Sequence, residues 1–138
     1  MSDEYVLIDR LPTVEEYHRL REAVGWEKMD REPTEMGLHN SLYSVCVIFD
    51  GRVIGYGRVV GDGAIFFYIQ DIMVQPEFQK KGIGRRIMNA IMDYLKVHAR
   101  TDSFIGLMAV KDASKFYEKF GFEERPRDRP GMFKVWGR

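Results

Sequence analysis

Apolar residues recur along this chain at two spacings, and the alternation between them marks out its elements. Short, β-branched or alternating runs predict strands at Tyr5–Ile8, Ser44–Phe49, Arg52–Val60, Ala64–Val74, Ser103–Val110 and Met132–Trp136. Helical spacing appears first after Thr13, where Tyr17, Leu20 and Val24 share a face. There Thr13-x-x-Glu16 forms a capping box and Gly25 ends the helix. A longer helix follows from about Ile83 to Ala99, with Ile83, Ile87, Met88, Ile91, Met92 and Leu95 on one face. A third covers Ala113–Phe120, capped by Asp112 and stopped by Gly121. The stretch Asp30–Leu42 mixes charges with Pro33 and Gly37, and predicts one short helix with irregular flanks. Asp50-Gly51 signals a hairpin and Gly61-Asp62-Gly63 a second turn, so the strands before residue 75 make an antiparallel meander. The strand, helix and strand that follow form a βαβ unit, in which the strands at Ile69 and Ile105 run parallel.

Length and charge narrow the class. A chain of 138 residues, 45% hydrophobic, suits a single domain over residues 1–138. With 21 basic and 21 acidic residues the net charge is zero, so no nucleic-acid partner is indicated. No run approaches the roughly 18 apolar residues of a membrane span, which argues against a membrane partner. One cysteine, Cys46, and an N-terminus without an apolar signal core point to a reducing, cytoplasmic setting.

The stretch Val74-Gln75-Pro76-Glu77-Phe78-Gln79-Lys80-Lys81-Gly82-Ile83-Gly84-Arg85-Arg86 joins a strand to the start of the long helix. The first amides of a helix lack internal partners and sit at the positive end of its dipole, so a glycine-bearing loop there can hold a phosphate. Lys80, Lys81, Arg85 and Arg86 put four cations at the end where the dipole disfavours them. A resident anion reverses that penalty; a solvated basic turn is the plainer alternative. No Ser or Thr follows a Gly-Lys pair, which excludes a Walker loop. A dinucleotide fingerprint lacks its third glycine, because Ile87 stands there, and Asp102 precedes the next strand instead of closing it.

What remains, Gln79-x-x-Gly82-x-Gly84, resembles the acyl-coenzyme A loop of the GCN5-related N-acetyltransferases (GNAT). Asp71-Ile72-Met73-Val74-Gln75-Pro76-Glu77 is similar to the strand and Pro-acidic turn before that loop. Ala113-Ser114-Lys115-Phe116-Tyr117-Glu118-Lys119-Phe120-Gly121-Phe122 is similar to the family's second signature. The resemblance spans roughly residues 69 to 122. It implies an α/β acyl-CoA N-acyltransferase fold: a mixed twisted sheet of about six to seven strands with a central parallel pair, flanked by about four helices. It also implies transfer of an acetyl group from acetyl-CoA, as co-substrate, to a primary amine on a small molecule or protein. Small enzymes of this family often pair, so a homodimer is possible.

By the same resemblance, amides of Ile72, Met73 and Val74 grip the pantetheine arm and thioester. Gln79, Lys80, Lys81, Gly82, Ile83, Gly84 and Arg85 hold the pyrophosphate. Tyr117 matches the family's tyrosine that protonates the leaving thiolate, although its helical spacing with Ala113, Phe116 and Phe120 also fits a packed core residue. Tyr68 stands where the histone-modifying branch has a glutamate base. Simple alternation puts Tyr68, Gln70, Ile72 and Val74 on one face and Ile69, Asp71 and Met73 on the other. That leaves no carboxylate on the first face; Asp71 either relays a proton through water or pairs with a neighbouring element. Lys111 stands where many relatives have asparagine, leaving one cofactor or capping contact in doubt. Trp26, just after the first helix, is either a core plug or a wall of the acceptor pocket, and Tyr68 and Gln70 are further candidates to meet the acceptor.

Two rival functions remain open: a non-catalytic acyl-CoA sensor of the same fold, and a nucleotide-binding module using the same loop. His18, His39 and His98 lack metal-ligand spacing, so no metal site is predicted. Cys46, inside Val45-Cys46-Val47-Ile48, is expected in the core.

Overall fold

The capping box at Thr13 closes as its spacing predicts: the Glu16 amide donates to Thr13 Oγ1 at 3.0 Å, and the Thr13 amide to Glu16 Oε1 at 2.8 Å. Helix α1, Val14–Ala23, starts there and buries Val14, Tyr17 and Leu20. The structure is a computed structural model and describes residues 4–138. The remaining elements are β1 (Val6–Ile8), α2 (Arg31–His39), β2 (Tyr43–Phe49), β3 (Arg52–Gly61), β4 (Phe66–Val74), a 3-10 turn at Pro76–Phe78, α3 (Ile83–His98), β5 (Phe104–Gly106) and α4 (Ser114–Glu118). The chain divides into two compact units between Leu107 and Met108.

The first unit is built on a five-stranded sheet in the order β1-β2-β3-β4-β5, antiparallel except for the parallel pair β4 and β5. The α/β class, the mixed sheet and the four helices match expectation. Two details of the sheet do not. There are five strands among the described residues, not six or seven, and the parallel pair lies at the sheet's edge, because β5 is the last strand.

Helices cover both faces of this sheet. Tyr56 joins Tyr17, Leu20, Leu38, Cys46, Val53 and Met73 in a cluster on the α1 side. Its neighbour Gly57 faces α3, where an added Cβ would lie 2.6 Å from Ile87 Cγ2 and 2.8 Å from Ile72 Cδ1. Helix α3 buries Ile83, Ile87, Met88, Ile91 and Leu95, each contributing about 1.5–3 kcal/mol by leaving water. None of the helices among the described residues is long and apolar enough to cross a membrane. Cys46 is fully buried, and burial pushes its thiol up to about 12, which suits packing and not nucleophilic attack.

A bulge interrupts β4. Arg58 pairs with Gln70 and Tyr56 with Met73, so Asp71 and Ile72 together oppose Gly57. Direct partners in an antiparallel pair share a face, which puts Gln70 and Met73 on the side of Tyr56 and Arg58. The simple alternation expected along β4 is therefore wrong across Asp71. Tyr68 and Gln70 lie on the α1 side, while Ile72 lies on the α3 side, against Gly57.

Strand β4 also begins later than Ala64. The Asp62 carboxylate accepts from the amides of Ala64, Ile65 and Phe66 at 2.8, 2.9 and 3.1 Å, holding them in a turn. Pairing with β5 covers only Phe66–Tyr68 with Phe104–Gly106, shorter than the predicted Ser103–Val110, and it stops before the bulge.

In the second unit α4 is shorter than predicted. Asp112 sits at φ 66°, outside the geometry of a capping residue, and no side chain caps the helix. Gly121, at φ 90°, follows its end. The strand predicted at Met132–Trp136 is absent: no neighbour pairs with it among the described residues, and Met132, Phe133 and Trp136 are 88%, 80% and 89% exposed. An alternating pattern makes a strand only where a partner satisfies its amides.

The contact at Gly57 yields a stability prediction. Gly57→Ala should lower stability by about 1–3 kcal/mol through overpacking against Ile87 and Ile72. Urea unfolding measures it, and an unchanged midpoint would show that α3 moves aside freely.

Candidate active site

The chain reaches the start of α3 through a turn that is anchored at both ends. Upstream, the Gln75 amide donates to the Ile54 carbonyl at 2.8 Å, tying the end of β4 to β3. Phe78, on the 3-10 turn, packs with Phe49 and Tyr5 at centroid distances of 5.3 and 6.1 Å. Gln79 then folds back, its side-chain amide donating to the Val74 carbonyl at 2.9 Å. Lys80 and Gly82 both take left-handed backbone, φ 63° and 79°, and this curls the loop into the helix.

The helix start itself is open. Gly82 is the N-cap and no side chain caps it, and the first turn of α3 carries no acidic residue. The first helical bond runs from the Arg86 amide to the Gly82 carbonyl, so the amides of Ile83, Gly84 and Arg85 precede any intrahelical partner. Nothing lies within 4 Å of a Cβ built on Gly82. Lys80, Lys81, Arg85 and Arg86 are all exposed around it. Open amides, a positive dipole end and four cations suit a diphosphate in charge and donor count.

Strand β4 runs into this loop, so the sequence-predicted donor residues from Ile72 through Arg85 follow one another from strand end to helix start, with the Met73 and Ile83 side chains buried. Past Tyr68 the strand has no partner on the β5 side among the described residues, which leaves an edge where an extended ligand can hydrogen-bond.

The other predicted residues are distributed as follows. Tyr68 is half-buried, its ring against Gly106. The Gln70 side-chain amide donates to Asp71 Oδ1 at 3.2 Å. Trp26 packs half-buried against the α1-side core, with the Arg21 guanidinium 5.5 Å above its ring. Tyr117 belongs to the second unit, half-buried, its ring edge-on to Phe116 and Phe122 at 5.0 and 6.4 Å. Burial raises its phenol above the ordinary value, so it holds its proton at neutral pH. Lys111 is exposed.

Asp71 gained only a weak signal from sequence, yet its buried carboxylate meets partners from α1, β3 and its own strand. Its carboxylate is 1% exposed and accepts from the Tyr17 hydroxyl at 2.7 Å and from Arg58 Nε at 2.8 Å, with Arg21 Nη1 3.9 Å away. So committed, it is a structural pair and not a free base. Among the described residues no group of three or more His, Cys, Asp or Glu side chains is arranged to hold a metal.

Comparison with known proteins identifies the family and the fold. The acetyltransferase (GNAT) domain family matches residues 41–124. A crystal structure from methicillin-resistant Staphylococcus aureus, of a protein of unknown function described as a probable acetyltransferase, shares 37% identity. It superimposes with a TM-score of 0.91 over 96% of this chain and 100% of that one. A GNAT-family acetyltransferase from Streptococcus pneumoniae shares 27% identity with a TM-score of 0.81, over 98% of this chain and 100% of the other. By sequence, the uncharacterized N-acetyltransferase ycf52 of Pyropia yezoensis is 27% identical over 96% of this chain and 77% of its own length.

The Asp71 cluster predicts a pH dependence. Burial first, and then the Asp71 charge, push the Tyr17 phenol from 10.0 up to about 12. Between those values the unfolded chain has lost this proton and the folded one keeps it, so stability falls as pH rises from about 10 to about 12. Tyr17→Phe should flatten that fall, as read from urea midpoints at pH 9 and pH 12; an identical fall in both proteins would count against the coupling.

Proposed function

Because the chain belongs to the GCN5-related N-acetyltransferase (GNAT) family, we propose that it moves an acetyl group from acetyl-CoA to a primary amine by direct attack. The observation that supports this most is the open start of α3, uncapped, free of acidic side chains and ringed by Lys80, Lys81, Arg85 and Arg86.

On this reading the amides from Gln79 to Arg85 bind the pyrophosphate. The Ile72–Val74 edge orients the pantetheine arm and the thioester carbonyl, pre-paying the entropy of bringing carbonyl and amine together. The thioester supplies the acyl group. As the C–N bond forms and the C–S bond breaks, Tyr117 donates its proton to the departing sulfur, a task suited to a phenol that burial keeps protonated. Proton removal from the amine falls to water, because the Asp71 carboxylate is already engaged by Tyr17 and Arg58. The acceptor is a small-molecule or protein amine, and Trp26, Tyr68 and Gln70 are the side chains proposed to meet it.

The competing reading is a non-catalytic acyl-CoA sensor of the same fold. Calorimetry with acetyl-CoA, CoA and ATP, followed by free-thiol release across a panel of amines, separates the two. Binding of acetyl-CoA with no amine-dependent release selects the sensor, and preference for ATP removes both.

Two substitutions sharpen this. Gly82→Asp should abolish acetyl-CoA binding, because it adds a negative charge beside the open amides at a left-handed position, φ 79°. Retained binding would move the diphosphate elsewhere. Tyr117→Phe should cut kcat by about 100-fold with little change in acetyl-CoA affinity. An unchanged kcat would remove Tyr117 from the chemistry.

A further inference from the structure

Asp71 holds φ 61° on a side chain with a Cβ, a conformation that costs on the order of 1 kcal/mol and persists only where the surroundings impose it. Its surroundings do impose it. The buried carboxylate meets the Tyr17 hydroxyl (2.7 Å) from α1, Arg58 Nε (2.8 Å) from β3 and Gln70 Nε2 (3.2 Å) from its own strand. Arg21, also on α1, adds an ion pair at 3.9 Å. Those partners are themselves fixed. Arg58 Nη1 donates to the Gly37 carbonyl at 3.1 Å and to Ser41 Oγ at 3.2 Å, and Arg21 Nε donates to the Glu27 carbonyl at 2.7 Å.

We infer that Tyr17, Asp71 and Arg58 are positioning residues that clamp the β4 bulge and so aim the Ile72–Val74 amides at the acyl-pantetheine arm of the donor. This rests on the acetyltransferase reading and goes beyond it. On this reading Tyr17, Asp71 and Arg58 meet neither donor nor acceptor and act through the backbone, whereas their neighbour Gln70 is a proposed acceptor contact. Two residues set against one turn the strand at that point. The peptide groups that change direction are those immediately after Asp71, the same ones that border the unpaired edge of β4. The pyrophosphate loop, by contrast, is held by Phe78 against Phe49 and Tyr5 and by Gln79 on the Val74 carbonyl. Although Gln79 links the loop to Val74, none of these loop contacts involves Tyr17, Asp71 or Arg58, so damage to that cluster should spare the diphosphate end.

The test measures the two halves separately on the full chain. Calorimetry with acetyl-CoA probes both; 3′-phospho-ADP, the diphosphate end of coenzyme A, probes the loop alone. Tyr17→Phe keeps the ring and removes one bond to the carboxylate, so it preserves packing. Asp71→Asn keeps the size and removes the charge. For Asp71→Asn the acetyl-CoA Kd should rise about tenfold, with a smaller rise in the same direction for Tyr17→Phe, while 3′-phospho-ADP binds as it does to the parent protein.

A merely structural cluster cannot produce that split. If both ligands weaken together in Tyr17→Phe, or neither changes, the inference is overturned, and this holds even if Asp71→Asn fails to fold. If the unmutated protein binds neither ligand, the acetyltransferase reading falls instead, and the two failures stay distinguishable.

Discussion

Two residues of β4 set against one of β3 govern the arrangement of the first unit. Asp71 and Ile72 oppose Gly57, and each of the three solves a different packing problem. Gly57 has no side chain, which lets Ile87 of α3 and Ile72 close over the sheet. Asp71 turns its carboxylate to the other side, where α1 supplies Tyr17 and Arg21 and β3 supplies Arg58. Helix α1, the sheet and helix α3 thus register on one point. A bulge here re-aims the strand just before it delivers the chain to the helix start.

The same economy is seen at the loop. The whole chain is neutral, 21 charges of each sign, yet four cations gather at the end of α3 that least favours them. Helices α1 and α2 follow the dipole at their starts, with Glu15 and Glu16 in the first turn of α1 and Glu32 in that of α2, and α3 itself ends with Lys96 and His98. His98 Nδ1 also donates to the Tyr94 carbonyl at 2.9 Å, an ordinary helix-end arrangement. Against that pattern, the basic start of α3 carries a penalty that the proposed diphosphate would reverse. The supports fit this too, since Phe78, Gln75 and Gln79 hold the loop through contacts that leave the helix amides open.

Much of this was legible in the sequence because the signals are local. The capping box at Thr13, the Asp50-Gly51 hairpin and the α3 stripe each need only a few neighbouring residues, and each formed as expected. The glycine loop was legible for the same reason. What failed depended on partners far away in the chain. Alternation along β4 predicted Gln70 opposite to Asp71, but the bulge that cancels it is set by pairing with Gly57 and by Tyr17, 54 residues upstream of Asp71. Burial even conceals the change: Ile69, Asp71 and Met73 are all buried at spacing two, though Ile69 pairs with Val59 and Met73 with Tyr56, on opposite faces. The predicted strand at Met132–Trp136 failed likewise, since its pattern was right and a partner was not supplied.

The choice of a carboxylate at position 71 bears on why the bulge is so heavily bonded. Replacing a buried ion pair with apolar groups of similar volume is often neutral or stabilising, whereas deleting one partner costs about 3–5 kcal/mol. Such a cluster therefore gives little net stability over an apolar core, and it leaves the site intolerant of change. What it does provide is geometry. Dispersion contacts accept many side-chain arrangements, but a carboxylate shared by a phenol at 2.7 Å and a guanidinium at 2.8 Å accepts few. A left-handed aspartate next to the strand proposed to grip the thioester calls for one backbone conformation, and paired charges specify it more narrowly than packing alone.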